Sequence, residues 1–218
     1  MNRLNYGLDF AIFDMDGTLV DSMPAWFSLG NDYLAEKSIE APANMRDIVY
    51  ELSLEETAIY FRGELGITDS TEKIVADMIA VMNKKYRGNI PQKPGAVEYL
   101  KALKTAGVRM CIATATEENL AGECLRRLGL LDYFEFVLSC ENLKTSKRVA
   151  DIYMMCAERF GAKPQEIALY EDALYAVRTA KNAGFFTVGV EDELSLGDTT
   201  EIKTLADVYI KGFGGLIK

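Results

Sequence analysis

The chain has 218 residues, 49% hydrophobic and 26% charged, the proportions of a folded globular protein and not of a disordered or fibrous one. Acidic residues outnumber basic ones 33 to 24, a formal charge of -9 that argues against nucleic acid and membrane surfaces as partners. The chain contains no histidine, which excludes Ser-His-Asp triads, Cys-His dyads, His-ligated zinc and histidine general bases.

The first apolar run, Phe10-Ala11-Ile12-Phe13, is stopped by the polar, glycine-containing stretch Asp14-Met15-Asp16-Gly17-Thr18 and predicts a short buried parallel strand. From Met23 to Gly88 the pattern is helical. Ser53-Leu54-Glu55-Glu56 has capping-box spacing and opens a helix running to about Gly66. Asp69-Ser70-Thr71-Glu72 repeats that spacing and opens another helix ending near Gly88. Three or four helices and no strand are expected here. After Pro94-Gly95 the rhythm alternates. Helices are predicted over 96–105, 118–128, 150–160 and 174–183, each closed by a glycine, with strands over 108–114, 135–138, 167–170, 186–190 and 208–210. Repeated units of this kind predict an α/β fold, a Rossmann-like, doubly wound parallel sheet with helices on both faces. The helical block interrupts it after its first strand. The expected division is therefore 1–20 with 90–218 as the α/β core and 21–89 as an inserted α-helical domain.

Side-chain expectations follow the same patterns. Met78, Met82, Met154 and Met155 sit at helical spacing and are assigned to the core, while Glu51, Glu55 and Glu56 read as solvent-facing. Cys111, Cys124, Cys140 and Cys156 are too widely spaced for a C-x-x-C motif; Cys111 in an apolar run and Cys156 in a helical pattern suit buried free thiols, and a disulfide framework is not expected in a chain long enough to build its own core. Residues 1–10 lack the pattern of a secretory leader, and no apolar segment approaches the roughly 18–20 residues of a membrane span. A reducing, cytoplasmic location is the expectation.

In a doubly wound sheet, ligands bind outside the carboxyl ends of the strands. The polar residues collected there are Asp14, Asp16, Thr114, Thr116, Glu171 and Asp172. Carboxylates crowded together without histidine or arginine repel unless a hard cation lies among them. Mg²⁺, which takes oxygen ligands, suits such a site. Acids plus a lysine around such an ion are suited to handling phosphate.

Asp14-Met15-Asp16-Gly17-Thr18-Leu19-Val20-Asp21-Ser22 resembles the first motif of the haloacid dehalogenase-like (HAD) hydrolases, D-x-D-G-T-L-x-D-S. Thr114 is similar to the family's hydroxyl motif, Lys147 before Asp151-Ile152-Tyr153 to its lysine motif, and Glu171-Asp172 to its acidic pair. The resemblance spans essentially the whole chain. The helical insertion after the first motif is similar to the cap of the phosphoglycolate phosphatase and β-phosphoglucomutase branch. It implies that Asp14 is the nucleophile forming an aspartyl-phosphate and that Asp16 is the general acid and base. Mg²⁺ would be held by Asp14, the Asp16 backbone carbonyl and Asp172, with Glu171 beside or behind the metal. Thr114, the Ala115 N–H and Lys147 would bind the phosphate oxygens. Gly17 would permit the turn that brings both aspartates to one centre.

The second aspartate favours phosphoryl transfer over carbon–halogen cleavage, because a leaving halide needs no proton. Mutases of the β-phosphoglucomutase type carry a hinge histidine where this chain has Trp26, so hydrolysis is preferred. The chain departs from the family pattern at two places. The lysine motif reads Lys147-Arg148-Val149-Ala150-Asp151 without prolines, with Lys144 as an alternative lysine. Asp172-Ala173-Leu174-Tyr175-Ala176 lacks the usual serine and glycine. Arg46 and Arg62 could contact an anionic substrate or be ordinary surface residues, and Trp26 and Phe27 could line a cavity or pack in the core. The resulting expectation is a Mg²⁺-dependent phosphatase of a small phosphorylated metabolite, such as a sugar phosphate, working as a monomer or alternatively a homodimer. A phosphosugar mutase and a non-enzymatic phospho-ligand binding module are the alternatives.

Overall fold

The computed structural model describes residues 3–49, 52–193 and 195–217. The chain divides into two compact units, Met1–Asp21 with Pro91–Lys218, and Ser22–Ile90. Strand β1 (Phe10–Phe13) opens the first unit. The second unit is helical, with α1 (Met23–Glu36), α2 (Met45–Val49), α3 (Leu54–Glu64) and α4 (Thr71–Gly88). The first unit then resumes in chain order with α5 (Ala96–Thr105), β2 (Arg109–Thr114), α6 (Glu118–Arg127), β3 (Val137–Ser139), α7 (Cys140–Leu143), α8 (Asp151–Phe160), β4 (Ile167–Glu171), α9 (Leu174–Asn182), β5 (Phe186–Val190), α10 (Thr199–Leu205) and β6 (Val208–Ile210).

All six strands are parallel, in the order β3-β2-β1-β4-β5-β6. The connections wind outward from β1 to one side and then cross to β4 and wind to the other. The crevice at the carboxyl end of β1 is therefore the switch point where such sheets bind ligands. Alternation along β1 and β4 builds two cores. Ile12 and Leu169 point into a layer with Cys111, Ala113, Ile152, Cys156 and Phe160, which brings α8 onto one face. Phe13 and Tyr170 point the opposite way. Their rings stack at 4.3 Å, and Tyr99 of α5 meets Tyr170 hydroxyl to hydroxyl at 2.6 Å. Burying each such side chain contributes about 1.5–3 kcal/mol.

In the helical unit the capping box predicted at Ser53 and Glu56 is formed, and Glu55 and Glu56 are exposed, as expected; Glu51 lies outside the described residues. The start of α4 differs from its expected pattern. Its cap is Ser70, whose hydroxyl accepts the Lys73 N–H, while Asp69 is instead drawn to the Lys37 ammonium at 3.1 Å. Two further expectations are corrected. Met78 and Met82 are buried and Met155 is half-buried against the core, but Met154 is 44% exposed, because α8 turns its Ile152, Tyr153 and Cys156 side to the sheet. The strand expected over 135–138 is shifted to Val137–Ser139, although Glu135 still donates its N–H to the Met110 carbonyl at 2.8 Å. The four cysteines are free and buried. Among the described residues no helix is long and apolar enough to cross a membrane.

Candidate active site

The site grows from the end of β1. The Asp14 N–H still donates to the Tyr170 carbonyl of β4, so the residue after the strand is held in sheet register. The chain then turns tightly, with the Leu19 and Val20 N–H groups on the Met15 carbonyl and the Gly17 N–H on the Val20 carbonyl at 2.9 Å. Gly17 has φ +80°, and a Cβ there would lie 2.6 Å from Asp172 Oδ2. The turn thus requires glycine twice over, for its left-handed backbone and for the carboxyl packed against it.

Pairing of β1 with β4 brings Glu171 and Asp172 beside Asp14. Carboxylate oxygens of these three buried residues all lie within 4.8 Å of one another. The Lys147 ammonium, only 5% exposed, enters the group, donating to Asp14 Oδ1 and, at 2.6 Å, to Glu171 Oε1. The other Glu171 oxygen accepts the N–H groups of Asp172 and Ala173 at 2.9 and 3.0 Å. Glu171 thus ties the lysine to the loop behind the site. Asp172 accepts the Thr18 hydroxyl at 3.0 Å and the Ser195 hydroxyl at 3.4 Å.

The electrostatics follow from burial. Loss of solvent pushes the Asp14 carboxyl up to about 7, against the pull of the Lys147 ammonium and helped by the Glu171 and Asp16 carboxylates. Burial likewise raises Asp172 well above the usual carboxylate range, with Glu171 and Asp14 adding to the rise. Burial alone would lower the Lys147 ammonium, but Asp14 and Glu171 outweigh it and raise it. Three buried carboxylates facing one buried ammonium leave surplus negative charge in a low-dielectric site. An all-oxygen donor set of that sign fits a hard divalent cation.

Asp16 is half-buried and set apart from this group. Its carboxylate accepts the Thr116 hydroxyl at 2.6 Å. Thr114, fully buried at the end of β2, accepts the Thr116 N–H at 3.0 Å, and Ala115 between them is exposed.

The family model of the haloacid dehalogenase-like hydrolases matches residues 11–190, most of the chain. The chain belongs to this family. This HAD-like hydrolase is 27% identical over 191 residues to a phosphorylated carbohydrates phosphatase of Thermotoga maritima, the match covering 87% of this chain and 88% of that protein. It is 28% identical over 211 residues to a phosphoglycolate phosphatase of Agrobacterium fabrum, covering 94% and 89%. The crystal structure of a candidate β-phosphoglucomutase from Thermotoga maritima superposes with a TM-score of 0.85 at 25% identity, covering 96% of this chain and 97% of that one.

Of the residues expected at the site, the HAD-like hydrolase brings Asp14, Lys147, Glu171 and Asp172 into one buried cluster, with Asp16, Thr114 and Ala115 on neighbouring turns of the same sheet edge. The lysine inside is Lys147; Lys144 is exposed, with φ +53°. In the helical unit, Arg46 is exposed and lies over the Phe27 ring at 3.9 Å, Arg62 is exposed, and half-buried Trp26 donates its indole N–H to the Tyr86 hydroxyl at 3.1 Å. Sequence reasoning did not single out Thr18 or Ser195, and it left Thr116 without a partner. Thr18 lies inside the first motif and Ser195 follows the polar run Glu191-Asp192-Glu193 after β5, so position after a strand was the available signal.

Proposed function

We propose that this HAD-like hydrolase is a Mg²⁺-dependent phosphomonoesterase that acts on a small phosphorylated metabolite, a sugar phosphate, through an aspartyl-phosphate. The observation that carries this reading is Lys147, buried and bonded to both Asp14 and Glu171 with Asp172 alongside. A nucleophile, a cation for phosphate oxygens and a surplus of acid for a metal ion then share one enclosed place. Asp14, Asp172 and the Asp16 backbone carbonyl would hold the Mg²⁺, with Glu171 beside it. The ion supplies the positive charge that lets a carboxylate meet a phosphate dianion.

In the first half-reaction an Asp14 oxygen bonds to phosphorus and the phosphorus–ester oxygen bond breaks. Asp16 gives its proton to the departing alkoxide. Thr114, the Ala115 N–H and Lys147 hold the equatorial oxygens as charge builds on them. In the second, Asp16 takes a proton from water, the water oxygen bonds to phosphorus and Asp14 is released as carboxylate. We assign selection of the sugar to the helical unit, acting as the cap. The four free, buried thiols suit a reducing, cytoplasmic setting.

Hydrolysis is favoured over transfer between sugar positions because the chain has no histidine and Trp26 is bonded to Tyr86. The test is phosphate release from a panel of sugar phosphates, first with Mg²⁺ and then with EDTA, with Asp14→Asn as the control. Metal-dependent release that vanishes in the variant is expected. Release that survives Asp14→Asn overturns the mechanism, and conversion between phosphate isomers without free phosphate assigns a mutase instead.

A further inference from the structure

Asp16 has its backbone fixed but its carboxyl at a half-buried edge. The Gly17 N–H on the Val20 carbonyl and the bridge between Asp16 and Val20 hold its main chain. Neither reaches the side chain, where proton transfer takes place. The side chain is held from the neighbouring strand. Thr116, 100 residues away in sequence, donates its hydroxyl to Asp16 Oδ2 at 2.6 Å, a length expected of a strong hydroxyl–carboxylate bond. The pairing of β1 with β2 makes this possible, setting Phe13 against Ile112 so that the turns after both strands meet.

Thr116 is itself oriented. Its N–H donates to Thr114 Oγ1 at 3.0 Å, closing a short side-chain-to-backbone turn. A single three-residue turn therefore carries Thr114 at one end and the hydroxyl that grips Asp16 at the other.

We propose that Thr116 is a positioning residue that holds the Asp16 carboxyl for proton transfer, an inference that rests on the phosphatase reading. When the phosphorus–ester oxygen bond breaks, its electron pair stays on the leaving oxygen and the Asp16 proton moves there. The Thr116 O–H then donates to the carboxylate that Asp16 has become, and it still does so when Asp16 accepts the proton of the attacking water. Thr116 is neither protonated nor consumed.

The leaving group provides the test. Thr116→Val keeps the shape and removes the hydroxyl; Thr116→Ser keeps the hydroxyl; Thr116→Ala is a second hydroxyl-free variant that tolerates any tight packing around valine. Each is compared with wild type and Asp14→Asn in Mg²⁺, by kcat/KM, for p-nitrophenyl phosphate and for the best-cleaved hexose phosphate. The hexose needs its leaving oxygen protonated, whereas p-nitrophenolate leaves without help. The hydroxyl-free variants should lose about 10- to 100-fold in kcat/KM on the hexose phosphate and no more than about threefold on p-nitrophenyl phosphate, with Thr116→Ser close to wild type on both. Equal losses on the two esters, or no loss, in an enzyme whose wild type is active overturn the role of Thr116 alone. If the wild type shows no Asp14-dependent release from either ester, the phosphatase reading fails and this inference falls with it.

Discussion

Gly17→Ala probes the strictest local requirement of the site. The residue sits at φ +80°, a conformation that costs an alanine about 1–2 kcal/mol. The added methyl would also lie 2.6 Å from Asp172 Oδ2, 2.8 Å from its Cγ and 3.0 Å from Oδ1, where ordinary contact begins at 3.4 Å. The whole carboxyl group must therefore retreat by about 0.8 Å, the shortfall at Oδ2. That movement strains the hydrogen bonds from Thr18 at 3.0 Å and Ser195 at 3.4 Å. Weakening one of them adds about 1 kcal/mol or more.

Together these terms amount to about 2–4 kcal/mol, which for a chain of this size lowers Tm by roughly 5–15 °C. The assay is thermal unfolding in EDTA, followed by far-UV circular dichroism. Gly129→Ala serves as the reference. Gly129 has φ +68° but nothing within 4 Å of an added Cβ, so it reports the backbone cost alone. Gly17→Ala should fall further than Gly129→Ala and should also lose much of the rise in Tm produced by Mg²⁺, because Asp172 has moved. Equal melting temperatures and equal Mg²⁺ responses in the two variants would refute the close approach of Gly17 and Asp172.

Asp14→Asn should stabilise the metal-free protein more at pH 8 than at pH 5. A carboxyl held at about 7 when folded, against an ordinary 3.8, binds its proton more tightly in the native state. Its contribution to stability therefore falls as pH rises across that window, by an amount on the order of a few kcal/mol. Melting temperatures of the two proteins in EDTA at both pH values check this, and a pH-independent difference counts against it. Lys147→Ala leaves the acidic cluster without its ammonium and should cost about 3–5 kcal/mol in urea unfolding of the metal-free protein, with Mg²⁺ recovering part of it; a loss below about 1 kcal/mol contradicts the buried pairing. Ala173 occupies the cap position of α9 in extended conformation with no side-chain acceptor, so Ala173→Ser should raise stability by about 1 kcal/mol. An unchanged urea midpoint would show that the new hydroxyl fails to reach the first turn.

What the sequence revealed and what it hid have the same physical origin. Continuous apolar runs such as Phe10-Ala11-Ile12-Phe13, followed at once by acid and glycine, leave few alternatives to a buried strand ending in a turn. The four helix-closing glycines Gly107, Gly129, Gly161 and Gly184 all have positive φ. α7 and α10 were missed because helices of four and seven residues bury too little to imprint a period; in α10 only Ile202 is buried. The cap of α4 is ambiguous in the sequence because Asp69 and Ser70 are both good caps; in the structure Ser70 caps the helix and Asp69 pairs with a distant lysine, Lys37. Within the site, the residues carried on strand ends were legible, since sheet topology alone delivers Asp14, Thr114, Glu171 and Asp172 to one edge. The hydroxyls that orient them were not. Thr18, Thr116 and Ser195 act through contacts to residues between 23 and 154 positions away, which no local pattern encodes.

The absence of histidine sharpens the division of labour among the acids. In the proposed reaction one carboxyl must attack phosphorus and another must move a proton, so two residues of the same chemical type need different surroundings. The structure provides them two positions apart. Asp14 is 6% exposed and bonded to Lys147, so its carboxyl is held in a buried place beside a cation. Asp16 is half-buried and bonded to Thr116, outside the buried cluster. The left-handed turn at Gly17 reverses the chain immediately after this pair, and the carboxyl of Asp172 occupies the space that a side chain at that turn would need. The glycine that permits the turn therefore also leaves room for the Asp172 carboxyl. A substitution there should disturb metal response and stability together, whereas loss of the Thr116 hydroxyl should disturb proton transfer alone.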